Sequence, residues 1–439
     1  MASPQQNILQ QVQTYQMSAL GYLQNLCCFV ANANTRFKDF EKLVGNLGDT
    51  VTFDLPPRFT TTNSLVATFQ PADQRVQPLV CSNQVSTSYS FTSQQFIFNA
   101  EEYMSRFGKS AVYEIGAQIE GNIAQNCVTN TYRFYGDGVT PINSFTQLAQ
   151  ALAFYRNYGS ASGRAKGFIS DIAEPQIIGT GLNQFALDRN DKIAMSWELG
   201  EFSNCDWYKS NLLPIHISGT EGINGTTLTV VSTNANTSYT VTNPNGTTST
   251  IAQTTDGSVT AILFSGTTNA SDASSVTQYD KFQFQDGVSG QPNMRYLTFI
   301  GHLPSANPVQ FQAIAAGAAG AAGGQTSNQV VVQVSPALQS NPTNSQNLNN
   351  SIVAGMQVKV LPSHRAGLIY AGDPLFVAMP RLPDQSPFYT GNEVDPTTGV
   401  SIRMYYGVLF GQNSMGMVHD AIWGSTLVPE YSMSVIFPL

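Results

Sequence analysis

Charge is the scarcest property of this sequence. Asp, Glu, Lys and Arg make up 11% of its 439 residues, less than half of the roughly 25% usual in soluble domains. Basic residues are the fewer, 20 against 28 acidic, for a net charge of −8. That balance excludes a protein whose affinity for nucleic acid comes from a basic surface. Cysteine is also rare: Cys27, Cys28, Cys81, Cys127 and Cys205. The number is odd, two are adjacent and none sits at zinc-ligand spacing, which excludes a disulfide framework and points to free thiols in a reducing compartment. No apolar run approaches the roughly 20 residues of a membrane span. The opening MASPQQN has neither the basic region nor the apolar stretch of a signal peptide.

Catalytic motifs are missing as well. His216, His302, His364 and His419 fall outside HExxH and related ligand patterns. His419 adjoins Asp420, but no GxSxG accompanies them. The glycine pairs at 136–138 and 179–181 lack a third glycine, and there is no P-loop. Asp280, Asp286 and Glu221 are acids that suit a cation, yet acids scattered over a β region are ordinarily solvated. Five Asn-X-Ser/Thr sequons, the first at Asn224, are a chance expectation in a chain this rich in those residues. The expectation is a protein that is not an enzyme, with no catalytic residues, no cofactor and no metal.

Hydrophobic residues are plentiful, at 42%, and the length allows two or three domains around a sizeable core. Asn, Gln, Ser and Thr supply the surface polarity that charge does not. Charged groups are costly to desolvate and are depleted at interface cores, so this surface suits a protein that buries its exterior against copies of itself.

The dominant stretch runs from Asn99 to about Phe134. Asn99 and Glu102 form a capping box. Met104, Phe107, Ala111, Val112, Ile115, Ile119 and Ile123 fall on one helical arc, with Arg106, Lys109 and Glu120 on the other. This predicts a rod about 50 Å long. Gly108, Gly116 and Gly121 lie inside it, each costing about 1 kcal/mol relative to Ala. They are either tolerated in a plain core helix or mark close contact with a neighbour.

Before this rod, residues 4–31 read as a Gln-rich amphipathic helix, folded on its own core or reaching onto another subunit. Val51, Phe53 and Leu55 alternate as a strand ended by Pro56 and Pro57, and Val85–Phe91 alternates again. The polar segment between them is an excursion with no core of its own. After the rod, Ser144 and Gln147 cap a helix that Gly159 ends. Lys166–Asp171 reads as a buried strand, and a helix follows from Gln176 to about Asp188. From Ile217 to Val360 charge nearly vanishes and short alternating runs separated by Asn-Gly turns predict an all-β region. The run Ala315–Gly324 within it reads as a flexible loop. Strand-like runs return at 364–370, 374–379, 402–410 and 433–437, the last placing the C-terminal residues in a sheet.

This order resembles the major capsid protein fold of tailed bacteriophages, the Hong Kong ninety-seven type. More narrowly it is similar to the P-twenty-two coat protein family, which carries an inserted domain. The stretch Gly48-Asp-Thr-Val-Thr-Phe-Asp-Leu-Pro-Pro-Arg-Phe59 is the most specific match. Residues 99–134 resemble the spine helix, Leu213–His216 the lead-in to the insert, and Ala366–Ala371 with Phe376–Met379 the strands leaving it. The resemblance implies an α+β fold: an N-terminal helical arm (1–47), strands and an extended loop (48–98), a spine helix and central α/β core (99–216), an inserted β domain (217–360) and return strands (361–439).

It also implies a coat subunit that self-assembles into an icosahedral shell around double-stranded DNA, made in the host bacterial cytoplasm. Scaffolding and portal proteins are its implied partners. Packaged DNA would touch the acidic wall only weakly, and no membrane is involved. Arg58, Phe59, Gly108, Gly116 and Gly121 are the expected assembly residues. Arg58, directed by two prolines, either pairs with a neighbour's carboxylate or stays solvated. The competing reading is a viral fiber or adhesin that binds through its Thr/Ser/Asn-rich β region.

Overall fold

The computed structural model describes residues 28–34, 50–59, 69, 74–92, 107–159, 163–181, 200–242, 247–267, 275–299, 301–321, 328–343, 345–383, 389–394, 399–408 and 414–439. Residues 4–27 of the helix expected over 4–31, the Asn99–Glu102 box, most of the excursion and residues 182–188 lie outside them. Helices and strands are mixed, as an α+β chain requires. In chain order the first elements are α1 (Cys28–Ala31), β1 (Thr50–Leu55), β2 (Arg75–Val80), β3 (Asn83–Thr92), α2 (Lys109–Thr129) and β4 (Phe134–Tyr135). Next come α3 (Phe145–Arg156), β5 (Ala165–Ser170), α4 (Ala173–Gly181), β6 (Glu201–Phe202), β7 (Cys205–Ser210), β8 (Ile215–His216) and α5 (Thr220–Ile223). The β-rich region holds β9 (Thr227–Thr233), β10 (Tyr239–Thr242), β11 (Thr248–Ile251), β12 (Val259–Ser265), β13 (Lys281–Phe284), β14 (Arg295–Leu297) and β15 (Pro304–Pro308). It continues with β16 (Gln310–Ala313), β17 (Ala319–Ala321), β18 (Gln329–Leu338) and β19 (Gln357–Val360). The last strands are β20 (His364–Ala371), β21 (Leu375–Ala378), β22 (Tyr389–Val394), β23 (Ser401–Val408), β24 (Ser414–Leu427) and β25 (Ser432–Pro438).

Two compact units are distinguished. The first gathers Met1–Leu55, Val76–Cys127 and Asp373–Val428. Its main sheet has the order β21-β24-β23-β22, with β3 also paired to β24 from Ser414↔Thr92 to Trp423↔Asn83. Phe91, Met404, Tyr406 and Met417 bury together on it. β1 and β2 form a separate two-stranded sheet. β2 lies inside the segment expected to be an excursion, and its Pro78 is tolerated because a two-stranded sheet has only edge strands.

Along α2, Ala111, Val112, Ile115, Ile119 and Ile123 are buried, as the periodicity expects. Two positions differ. Phe107 is half exposed, and Glu120, placed on the polar arc, is fully buried. Its carboxylate accepts the backbone N–H of Phe29 at 2.5 Å and of Val30 at 3.3 Å. Both donors belong to α1, so the carboxylate of one helix is tied to the backbone of another. The helix also stops at Thr129, short of the expected Phe134. Val128, Thr129 and Thr131 are β-branched and poor helix formers, and Phe134–Tyr135 instead pairs in parallel with β25.

Burial pushes the Glu120 pKa up to about 7, against the downward pull of the Phe29, Val30 and Cys28 amides. The folded chain therefore holds this proton more tightly than the unfolded one. The stability it contributes is complete below its ordinary value of 4.5 and is lost as pH rises through 7. Glu120→Gln should remove this part of the pH profile, a change of about 3 kcal/mol between pH 4.5 and 8, read from denaturation midpoints across that range.

The second unit gathers Pro56–Arg75, Val128–Gly372 and Pro429–Leu439. Its sheet runs β4-β25-β20-β5-β7-β6, with β8 added to β20. The C-terminal strand β25 thus sits between β4 and β20, as its apolar run predicts. α3 and α4 bury Phe145, Leu148, Leu152, Ile177 and Ile178 with Ile169, Met433 and Val435 of the sheet. At the start of α3, Ser144 Oγ accepts from Gln147 N at 3.3 Å, while Gln147 Oε1 accepts from Asn143 N at 2.8 Å. The box therefore closes one residue earlier than its usual form.

Strands β12-β18-β16-β13-β19-β9 close into a barrel. Its centre is a stack of near-parallel rings, with Phe282 lying 5.1 Å from Phe311 and 6.0 Å from Phe264. The Ala-Gly run is not wholly loop: Ala319–Ala321 pairs with β10, Thr240↔Ala321 to Thr242↔Ala319. Within the same run, a Cβ on Gly317 would come within 2.6 Å of Val330, so a larger residue there would force the packing to shift. The barrel is joined to the sheet by polar side chains. Gln310 brackets Phe134, accepting from its N–H at 2.9 Å and donating to its carbonyl at 2.8 Å. Gln312 donates to Thr129 O at 2.7 Å. Lys281, fully buried, donates to Thr131 O and lies 3.5 Å from Ser434 Oγ.

Candidate assembly site

Pro56 and Pro57 end β1 and carry the chain to Arg58. There the guanidinium donates to Glu430 Oε1 at 2.6 Å and lies over the Phe299 ring at 4.8 Å. Arg75, where the chain returns into β2, donates to the same Glu430 oxygen. Glu430 sits in a 3-10 turn, Pro429–Tyr431. Buried Arg133 fixes that turn by donating to Glu430 O at 2.8 Å and Ser432 O at 2.9 Å, with its guanidinium 4.2 Å above the Tyr158 ring. Tyr155 Oη holds the same turn through Tyr431 O at 2.9 Å.

Within its own chain Arg58 is paired and shielded from open solvent, its side chain only 15% exposed. The acceptor present is Glu430 of its own chain. Phe59, next to it, is 55% exposed, and Phe69 in the excursion is 99% exposed. Glu430 carries no sequence signal of its own, being a lone acid between a proline and a tyrosine. The scarcity of charge is the usable hint, since two arginines flanking one loop in such a chain call for a shared acid.

The three spine glycines belong to the first unit, whereas Arg58, Phe59 and Glu430 belong to the second. Gly108 and Gly116 are buried and Gly121 is partly exposed. A Cβ on Gly108 would meet only Tyr89 Oη at an ordinary 3.6 Å, and one on Gly121 would meet nothing within 4 Å. Close packing inside the chain therefore does not explain either residue.

The candidate chemical groups are occupied structurally. Asp420 pairs with Arg403 through Nε at 2.9 Å and through a second, shorter contact. Burial pulls the His419 pKa down to about 4, so its ring is neutral at pH 7. Asp280 is buried and accepts from His216 Nε2 at 2.7 Å, Thr277 N at 2.8 Å and Gly219 N at 3.2 Å. Asp286 pairs with Arg295 at 2.7 Å. Among the described residues no group of three or more His, Cys, Asp or Glu side chains is placed to hold a metal ion. Cys28, Cys81, Cys127 and Cys205 are present as thiols. Among the described residues no helix is long and apolar enough to cross a membrane.

No protein family matches the sequence, and no curated protein does. Solved structures do. A chain of Mycobacterium phage Che8 superposes with a TM-score of 0.43 at 7% identity, covering 92% of this chain and 91% of its own. A chain of the capsid of cyanophage P-SCSP1u gives 0.40 at 10% identity, covering 89% and 84%. A chain of the capsid of Ralstonia phage GP4 gives 0.40 at 8% identity, covering 90% and 84%. The likeness is to phage structures, two of them capsids. At this identity and score it is a likeness of chain course only.

Proposed function

We propose that the chain is the major capsid protein of a tailed phage, assembling in many copies into an icosahedral shell around double-stranded DNA. The observation that carries this reading is the excursion after β1. It leaves the chain in the sequence context of the capsid family's extended loop, and it presents Phe59 and Phe69 to solvent. Covering each ring is worth about 1.5–3 kcal/mol, and a shell repeats that contact at every subunit, so weak interfaces sum through closure. The low surface charge lowers the desolvation cost of such contacts.

In this reading the fold is of the Hong Kong ninety-seven type with the inserted domain of the P-twenty-two family. Residues 1–47 form the arm, 48–98 the strands and loop, 99–216 the spine and core, 217–360 the insert and 361–439 the return strands. Assembly takes place in the host cytoplasm with scaffolding and portal proteins, and DNA contacts the wall weakly. Phe59, with Gly108, Gly116 and Gly121 on the spine, faces neighbouring subunits.

Electron microscopy of the purified protein should show closed shells. Elongated trimers would favour a fiber or adhesin. The double variant Phe59→Ser/Phe69→Ser should lower shell yield in sedimentation at least tenfold while leaving the melting temperature of the unassembled chain within about 2 °C. Normal shell yield from this variant would remove the excursion from the interface.

A further inference from the structure

Arg58 and Arg75 bracket residues 59–74, and both reach one oxygen of one carboxylate, Glu430 Oε1. We infer that Glu430 is a clasp that closes the neck of the excursion and sets the direction in which it leaves the subunit. The inference rests on the assembly reading for its purpose but not for its geometry.

Three features argue for a clasp in place of two incidental surface pairs. The first is shielding. The Arg58 and Glu430 side chains are only 15% and 12% exposed and that of Arg75 27%, so the pairs are screened less than exposed ones, whose median value is near zero. The second is rigidity of the post. Arg133 and Tyr155 tie the backbone of the Pro429–Tyr431 turn down, so the carboxylate projects from an anchored base. The third is the unused capacity. Glu430 Oε2, Arg58 Nε and Arg75 Nη1 are buried without partners among the described residues. A pair optimised for stability alone would use the second oxygen in a two-pronged contact. Here both arginines converge on one oxygen, which draws the two chain ends together at the cost of that second bond. Arg58 is also pressed against Phe299, so its direction of approach is set on a second side.

The test uses trypsin, which must take an arginine side chain into its specificity pocket to cut Arg58–Phe59 or Arg75–Val76, and the clasp holds both side chains against Glu430. The unassembled full-length chain is digested briefly and cleavage at each arginine is followed by mass spectrometry. Glu430→Gln keeps shape and turn but removes the charge that holds both arginines. It should speed cleavage at both Arg58 and Arg75 about five- to tenfold, with Arg403, buried in the first unit, as uncut control. Arg58→Met should speed cleavage at Arg75 in the native background and add nothing in the Glu430→Gln background, since coupled partners are not additive. Unchanged cleavage at both bonds in Glu430→Gln overturns the clasp whatever the chain assembles into, as does full additivity. Loss of Arg403 protection would mean that the variant is globally unfolded, and Glu430→Asp, which keeps the charge, then replaces it. That variant should restore protection, and if it also leaves both bonds fast the clasp is wrong.

The aiming role is read separately by sedimentation of particles. Glu430→Gln should yield fewer or irregular shells with an unaltered melt. Faster cleavage with normal shells would overturn the aiming role. Absence of shells from the unmodified chain would overturn the assembly reading while leaving the protease result standing.

Discussion

Asp420→Ala should destabilise the first unit by about 3–5 kcal/mol, among the largest single-residue effects expected in this chain. Arg403 and Asp420 face each other across β23 and β24, and their side chains are 5% and 3% exposed. Removing the carboxylate leaves the guanidinium buried with, among the described residues, Pro383 O as its remaining acceptor and the Tyr405 ring 5.2 Å away. His419 beside it cannot compensate: burial holds its pKa near 4, and a neutral ring brings no negative charge. The double variant Arg403→Met/Asp420→Leu should recover most of the loss, because the cost lies in the unpaired charge and not in the absence of the pair. Chemical denaturation of the three proteins measures this. A double variant as unstable as the single one would mean that the pair organises the β23–β24 register and does more than neutralise itself.

The second large effect lies at Lys281. Burial lowers its pKa from 10.5 to about 7. Its ammonium donates to Thr131 O, and no carboxylate among the described residues pairs with it. Between pH 7 and 10.5 the unfolded chain binds this proton and the folded chain does not, so stability rises with pH across that window. The rise amounts to about 5 kcal/mol. Below pH 7 both states are protonated and the penalty is constant and full. Burial pushes the nearby His364 pKa down to about 3, so that ring stays neutral throughout the window and does not distort it. Lys281→Met fills a similar volume without charge. It should abolish the alkaline rise and, after the loss of a donor for Thr131 O, leave a net gain of about 2 kcal/mol at pH 7. Denaturation midpoints at pH 7, 9 and 10.5 for both proteins decide it. Equal slopes would show that water reaches Lys281 and that its pKa is ordinary.

Local pattern alone determined the elements whose signals are short-range. The buried arc from Ala111 to Ile123, the strand Thr50–Leu55, the cap at Ser144, the alternating runs of the barrel and the C-terminal strand are all readable from period and capping residues, because each reflects which neighbouring side chains share a face. The low charge and the absence of motifs likewise pointed away from catalysis without any coordinates. What pattern could not reach is the set of contacts between residues far apart in the chain. Glu120 belongs on a polar arc by period, and in the fold its buried carboxylate is met by the Phe29 and Val30 amides from about ninety residues away. Lys281 sits in a polar-looking strand, and only the docking of the barrel on Thr131 and Ser434 buries it. The Ala-Gly run reads as a loop until β10 offers it a partner. Arg58 reads as an outward-pointing residue until Glu430, 372 positions later, supplies its acceptor. In each case the deciding energy is the desolvation of a polar group, which depends on what the rest of the chain places around it, and a local window of sequence carries no record of that.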